Sequence, residues 1–173
     1  MRFSYLIAAA AAVVALSASQ AQAGKVEVKN VHLCCKQCVN NVAATLKKVD
    51  GVADAKCDQG AKTVTFTTKD EKVSAAAVKA LVDAGFFGAA TDDGKEVKVE
   101  QPAVSGKADE VVVKGVHVCC GTCQNAINPL FKEAKVTYSG SGAMKDVKIT
   151  GKGLDKAAVL ATLQKAGFTG KVE

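Results

Sequence analysis

From residue 25 the chain alternates apolar and polar side chains, Lys25-Val26-Glu27-Val28-Lys29-Asn30-Val31. A period of two predicts a half-buried strand. Beyond Cys38 the period lengthens: Val39, Val42, Ala43, Leu46 and Val49 fall at helical spacing, and Asp50-Gly51 ends that helix. Val52 to Cys57 and Thr63 to Thr67 alternate again, joined by a turn near Asp58-Gln59-Gly60. Ser74 is placed to cap a second helix with Val78, Leu81 and Val82 facing inward and Gly85 as its stop. A last strand begins near Phe86. The order β-α-β-β-α-β is the split ferredoxin-like arrangement, an α+β fold.

The same succession then recurs. Glu110 to Val116 predicts a first strand and Cys123 to about Glu133 a first helix, with Pro129 inside it. That proline removes a backbone donor and should kink or shorten the helix. Lys135 to Tyr138 and Asp146 to Thr150 form a hairpin around Ser139-Gly140-Ser141-Gly142. Asp155 caps a second helix carrying Val159, Leu160 and Leu163 and ending at Gly167, and Phe168 to Val172 closes the sheet. His32 aligns with His117, and Ala84-Gly85-Phe86 with Ala166-Gly167-Phe168. The expectation is two tandem ferredoxin-like domains, 24–91 and 109–173, with a linker over 92–108 in which 95–100 alternates and offers an extra edge strand. Units of this size bury only ~60% of their unfolded surface, so metal binding or mutual packing would add stability.

Residues 1–23 stand apart. Arg2 gives a positive start, Tyr5 to Leu16 is an apolar run rich in Ala, and Ala21-Gln22-Ala23 has the small-x-small form of a cleavage site. This pattern predicts a signal peptide; the apolar run is short of the ~20 residues of a spanning helix. The expected protein is exported, periplasmic or secreted, with no membrane anchor after cleavage. Its 23 Lys and Arg, less Arg2, against 17 acidic residues leave a net charge of +5. The lysines are dispersed and aromatics are few, which argues against a nucleic-acid groove.

Chemistry concentrates in a repeated stretch, Val31-His32-Leu33-Cys34-Cys35-Lys36-Gln37-Cys38 and Val116-His117-Val118-Cys119-Cys120-Gly121-Thr122-Cys123. These hold six of the seven cysteines and both histidines. Disulfide stapling fits poorly. The count is odd, adjacent Cys34 and Cys35 would strain a disulfide, and a Cys35–Cys38 bond closes a tiny loop. Thiolates are soft ligands. The second Cys of each Cys-x-x-Cys falls in the first turn of a predicted helix, where free N–H groups and the positive dipole end favour the thiolate. Candidate metal ligands are Cys34, Cys35, Cys38, Cys119, Cys120 and Cys123. His32 and His117 read either as further ligands or as ordinary strand-end hydrogen bonders. Cu(I), Zn(II) and Hg(II) all remain open, at about one soft ion per domain. Cys57 continues an inward set with Val52 and Ala55 and reads as a small core residue.

This arrangement resembles the heavy-metal-associated domain family, which includes copper chaperones, the N-terminal modules of metal-transporting ATPases and periplasmic mercury-binding proteins. The family motif is Gly-Met-Thr-Cys-x-x-Cys after the first strand. Cys35 and Cys38, and Cys120 and Cys123, match its metal-binding pair. The resemblance implies that Phe86 and Phe168, in the family's Ala-Gly-aromatic segment, lie near the metal loop; by position they read as core residues first and lids second. His32 and His117 replace the usual Gly, Leu33 and Val118 the Met, and Cys34 and Cys119 the Thr, so each loop offers one imidazole and three sulfurs. The reading is a metal-scavenging, buffering or transfer protein, not an enzyme, whose partner would be a metal donor or acceptor protein, a membrane transporter among the options. Two competitors stand beside it: an envelope thiol–disulfide oxidoreductase, and a protein-interaction adaptor with vestigial sites.

Overall fold

A computed structural model describes residues 24–173; the leader-like segment 1–23 lies outside them. The first half runs β1 (Gly24–Lys29), α1 (Lys36–Leu46), β2 (Val52–Asp58), β3 (Thr63–Thr68), α2 (Glu71–Asp83) and β4 (Ala89–Asp92), followed by a short β5 (Lys95–Glu96). The second runs β6 (Lys107–His117), α3 (Gly121–Ile127), a 3-10 turn (Asn128–Phe131), β7 (Lys135–Ser139), β8 (Met144–Asp155), α4 (Lys156–Lys165) and β9 (Lys171–Val172). The sheets have the orders β2-β3-β1-β4-β5 and β7-β8-β6-β9. The central strand of each sheet, β1 or β6, therefore feeds directly into a cysteine loop.

Alternation places Val26 and Val28 of β1 and Val64 and Phe66 of β3 on one buried face. Helix α1 covers it with Cys38, Val42 and Leu46, four residues apart and so on one stripe. Helix α2 adds Ala77, Val78 and Leu81. In the second half Val111, Val113, Val147 and Ile149 meet Cys123, Ile127, Val159 and Leu163 in the same way. Each cysteine loop is thus tied at both ends to a packed core.

Several local expectations shift. Asp70, not Ser74, caps α2: its carboxylate accepts from the Val73 N–H at 2.9 Å, so the helix starts a turn earlier. Ser74 lies buried inside the helix, in hydrogen bonds with Thr68 (2.7 Å) and Asp92 (2.6 Å). The β2–β3 register shifts between Ala53 and Lys56, with Asp54 at φ 51°. The bulge turns Ala55 out to solvent and leaves Cys57 half-buried rather than in the core. Pro129 acts as its ring requires: α3 stops at Ile127 and the chain tightens into the 3-10 turn. The closing strands begin later than Phe86 and Phe168, because those residues pair with each other across the two halves.

Candidate metal centre

Each loop leaves its strand and enters a helix through an extended cysteine. Cys35 caps α1 (φ −156°, ψ 169°) and Cys120 caps α3 (φ −155°, ψ 172°), neither with a side-chain capping bond. Cys38 and Cys123 follow in the first turn and are fully buried, while Cys34, Cys35, Cys119 and Cys120 are half-buried. All seven cysteines are free thiols.

The two loops face each other. Within the first, Cys34 Sγ lies 3.6 Å and Cys35 Sγ 3.8 Å from Cys38 Sγ. The second repeats this with Cys119 and Cys120 at 3.8 and 3.9 Å from Cys123 Sγ. Across the halves, Cys34 Sγ approaches Cys123 Sγ at 3.4 Å and Cys120 Sγ at 3.8 Å. Cys119 Sγ approaches Cys38 Sγ and Cys35 Sγ, both at 3.6 Å. Every contact has a counterpart with the halves exchanged, so the six sulfurs form one cluster with approximate two-fold symmetry. The expectation of one separate site in each half therefore changes: a sulfur cage spans both. Cys57 lies outside it.

A seam of backbone holds the loops together. Phe86 and Phe168 form an antiparallel bridge. The Thr169 N–H donates to Gly85 O (3.2 Å), the Phe87 N–H to Gly167 O (3.1 Å), and the Asn30 side-chain amide to Lys165 O (2.8 Å). Phe168 stacks on His32 with ring centroids 4.1 Å apart, and Phe86 on His117 at 4.3 Å. The Ala-Gly-Phe segment of each half thus reaches the other half's histidine. Sequence reasoning placed these phenylalanines near a metal loop and missed that the loop belongs to the opposite half. The repeated Gly-Phe was the available signal, but nothing local said where it docked.

Each histidine borders the shared cage. The donor atoms of His32, Cys34 and Cys123 lie within 4.8 Å of one another, as do those of Cys38, His117 and Cys119. Nε2 of both rings is buried without a hydrogen-bond partner among the described residues. The alternative of an ordinary strand-end hydrogen bond at that nitrogen is therefore not what forms. Burial, foremost, holds the His117 pKa below its usual value, which keeps the imidazole neutral and able to accept.

Crowding sets the thiol acidities. The Cys123 thiol is pulled down, first by hydrogen bonding to Cys38, against burial, with His32 and Cys34 assisting. Cys38 is pushed up, first by its hydrogen-bonding interaction with Cys123 and then by burial. Burial raises Cys34, and raises Cys119 to about 12. Cys35 differs. Burial would raise it too, but N–H donation from Cys38 and Gln37 and contacts with Cys119 and Cys38 outweigh that and bring it to about 7. Its thiolate fraction should therefore grow as pH rises through about 7, and iodoacetamide should label Cys35 well before Cys57, which burial raises. Peptide mapping of the reduced metal-free protein over pH 6–9 checks this; Cys57 reacting first would refute it.

Residues 25–87 match the model of the Heavy-metal-associated domain, so the first half carries one such domain. The chain is also similar to the N-terminal soluble domains of Bacillus subtilis CopA, solved in solution. That match has 15% identity and a TM-score of 0.30, over 88% of this chain and 95% of that one. No curated protein matches.

Proposed function

We propose that the protein is an exported soft-metal-ion binding protein that holds its cargo between two heavy-metal-associated-like domains in tandem. The observation that carries this is the gathering of six reduced sulfurs at contacts of 3.4 to 3.9 Å. Four thiolates around one zinc ion at a bond length of about 2.3 Å would stand about 3.8 Å apart, and three in a flat triangle about 4.0 Å. The cage already has the spacing of a thiolate ligand sphere. The domain match over residues 25–87 supports the same reading, and the second half supports it by repeating the element order and the cysteine loop. Export rests on the pattern of residues 1–23; no helix among the described residues is long and apolar enough to cross a membrane.

Binding, rather than turnover, suits this geometry. A thiol–disulfide oxidoreductase must present a nucleophilic sulfur to a protein disulfide, whereas here each Cys-x-x-Cys faces the opposite loop. The cage favours scavenging or buffering. Transfer to a donor or acceptor protein would require the seam to part first, so that an incoming thiolate could reach the ion. Titration of the reduced protein with Cu(I), Zn(II) and Hg(II) against competing chelators tests the proposal. Tight binding is expected in the wild type. It should fall at least 100-fold when Cys35, Cys38, Cys120 and Cys123 are all replaced by Ser, since loss of even outer-shell partners typically costs about 10- to 100-fold. Retained affinity in that variant would remove the basis for the proposal.

A further inference from the structure

We propose that the two loops build a single polynuclear Cu(I)–thiolate centre in which each Cys-x-x-Cys pair takes its third sulfur from the opposite half. This rests on the soft-metal reading above and specifies how the site is filled.

The sulfur contacts close into two triangles. One joins Cys35 to Cys38 (3.8 Å), Cys38 to Cys119 (3.6 Å) and Cys35 to Cys119 (3.6 Å). The other joins Cys120 to Cys123 (3.9 Å), Cys123 to Cys34 (3.4 Å) and Cys34 to Cys120 (3.8 Å). Each triangle is a chelating pair plus the leading cysteine of the other loop. The cis contacts Cys34–Cys38 (3.6 Å) and Cys119–Cys123 (3.8 Å) then tie the triangles together. Cys34, Cys38, Cys119 and Cys123 accordingly each neighbour sulfurs of both triangles, the position of a bridging thiolate. Cys34 and Cys119 are thus trans ligands first.

Charge argues for a cluster of more than two ions. Six thiolates around two Cu(I) leave four uncompensated negative charges in a half-buried cage, where unpaired charge is costly. Around four Cu(I) only two remain. Each ion displaces thiol protons to solvent, and copper keeps its oxidation state throughout. A soft monovalent ion accepts three sulfurs, whereas a structural zinc ion asks for four donors. The rings of His32 and His117 each bring one nitrogen within 4.8 Å of the Cys34/Cys123 and Cys38/Cys119 edges, where an imidazole can serve as a terminal ligand.

Native mass spectrometry of the reduced full chain titrated with Cu(I) should show saturation above two ions, at about four, given soft bridging sulfurs. The trans assignment is tested in a Cys35→Ser, Cys38→Ser background, where one chelating pair remains. There Cys34→Ser should weaken Cu(I) binding at Cys120 and Cys123 by about tenfold or more, and more than Cys119→Ser does. Cys38 is buried, so the test is repeated with Cys35→Ser alone, and circular dichroism confirms that each variant is folded. A wild type that stops at two ions overturns the inference, as does a Cys120/Cys123 affinity that Cys34→Ser leaves unmoved. A wild type that binds no Cu(I) at all would instead sink the metal-binding reading itself.

Discussion

Alanine at both Gly85 and Gly167 should part the two halves and weaken soft-metal binding while leaving each half's secondary structure in place. A Cβ on Gly85 would lie 2.4 Å from the His117 backbone nitrogen and 2.7 Å from Gly115 O. On Gly167 it would lie 2.5 Å from the His32 nitrogen and 2.6 Å from Asn30 O. In all four contacts the obstacle is the opposite half's backbone, which cannot rotate away as a side chain can. Both glycines also sit at positive φ, +81° and +86°, where a side chain costs roughly 1–2 kcal/mol. Overpacking adds about 1–3 kcal/mol per site. Against this the seam sets a few backbone hydrogen bonds, worth about 1 kcal/mol each, and two stacked ring pairs. Opening relieves the clash but not the φ penalty, so separation is the cheaper response. The readouts are faster alkylation of the buried Cys38 and Cys123, a larger radius of gyration by small-angle scattering, and an unchanged far-ultraviolet spectrum. Unaltered protection of Cys38 and Cys123 would show that the seam does not shield them.

Cu(I) loading should raise the melting temperature strongly and make the halves melt as one. A ligand that binds only the folded chain stabilises it by about 4 kcal/mol at a free concentration a thousand times its dissociation constant. For a chain of this length that is on the order of 8–16 °C. The effect should be large here because the metal-free cage is poorly satisfied. Six thiols lie 3.4 to 3.9 Å from their sulfur neighbours, and burial raises Cys34 and Cys119. Coordination replaces that crowding with bonds. Differential scanning calorimetry of the reduced protein, with and without Cu(I) and then with excess chelator, measures the shift and its reversal. Metal that leaves the melting curve in place would mean that the ion binds outside the packed cage. In the Gly85→Ala, Gly167→Ala variant the gain should shrink, since a parted seam lets each loop bind without holding its neighbour.

Much of this molecule is readable from neighbour-to-neighbour pattern. The alternation of Val26 and Val28, the four-residue spacing of Cys38, Val42 and Leu46, and the cap at Asp155 each follow from a few adjacent residues, and each is present in the fold. The shortened α3 followed from Pro129 alone. Local misreadings arose where two local solutions compete. Asp70 and Ser74 both have capping side chains, and Ser74 instead serves a buried network with Thr68 and Asp92 that forms only when α2 lies on the sheet. Ala55 alternates correctly in sequence, but the bulge at Asp54 resets the face.

The sequence by itself determined which atoms are available for chemistry: each loop carries the same three thiols and one imidazole at a strand-to-helix junction, because ligand type and local period are written in consecutive residues. Only the tertiary structure decided that the loops meet. Cys34 and Cys123 are separated by 89 residues yet lie 3.4 Å apart, and no local periodicity records such a contact. It follows from Gly85 and Gly167 letting two backbones close on each other, and from Phe86 and Phe168 covering the opposite histidines.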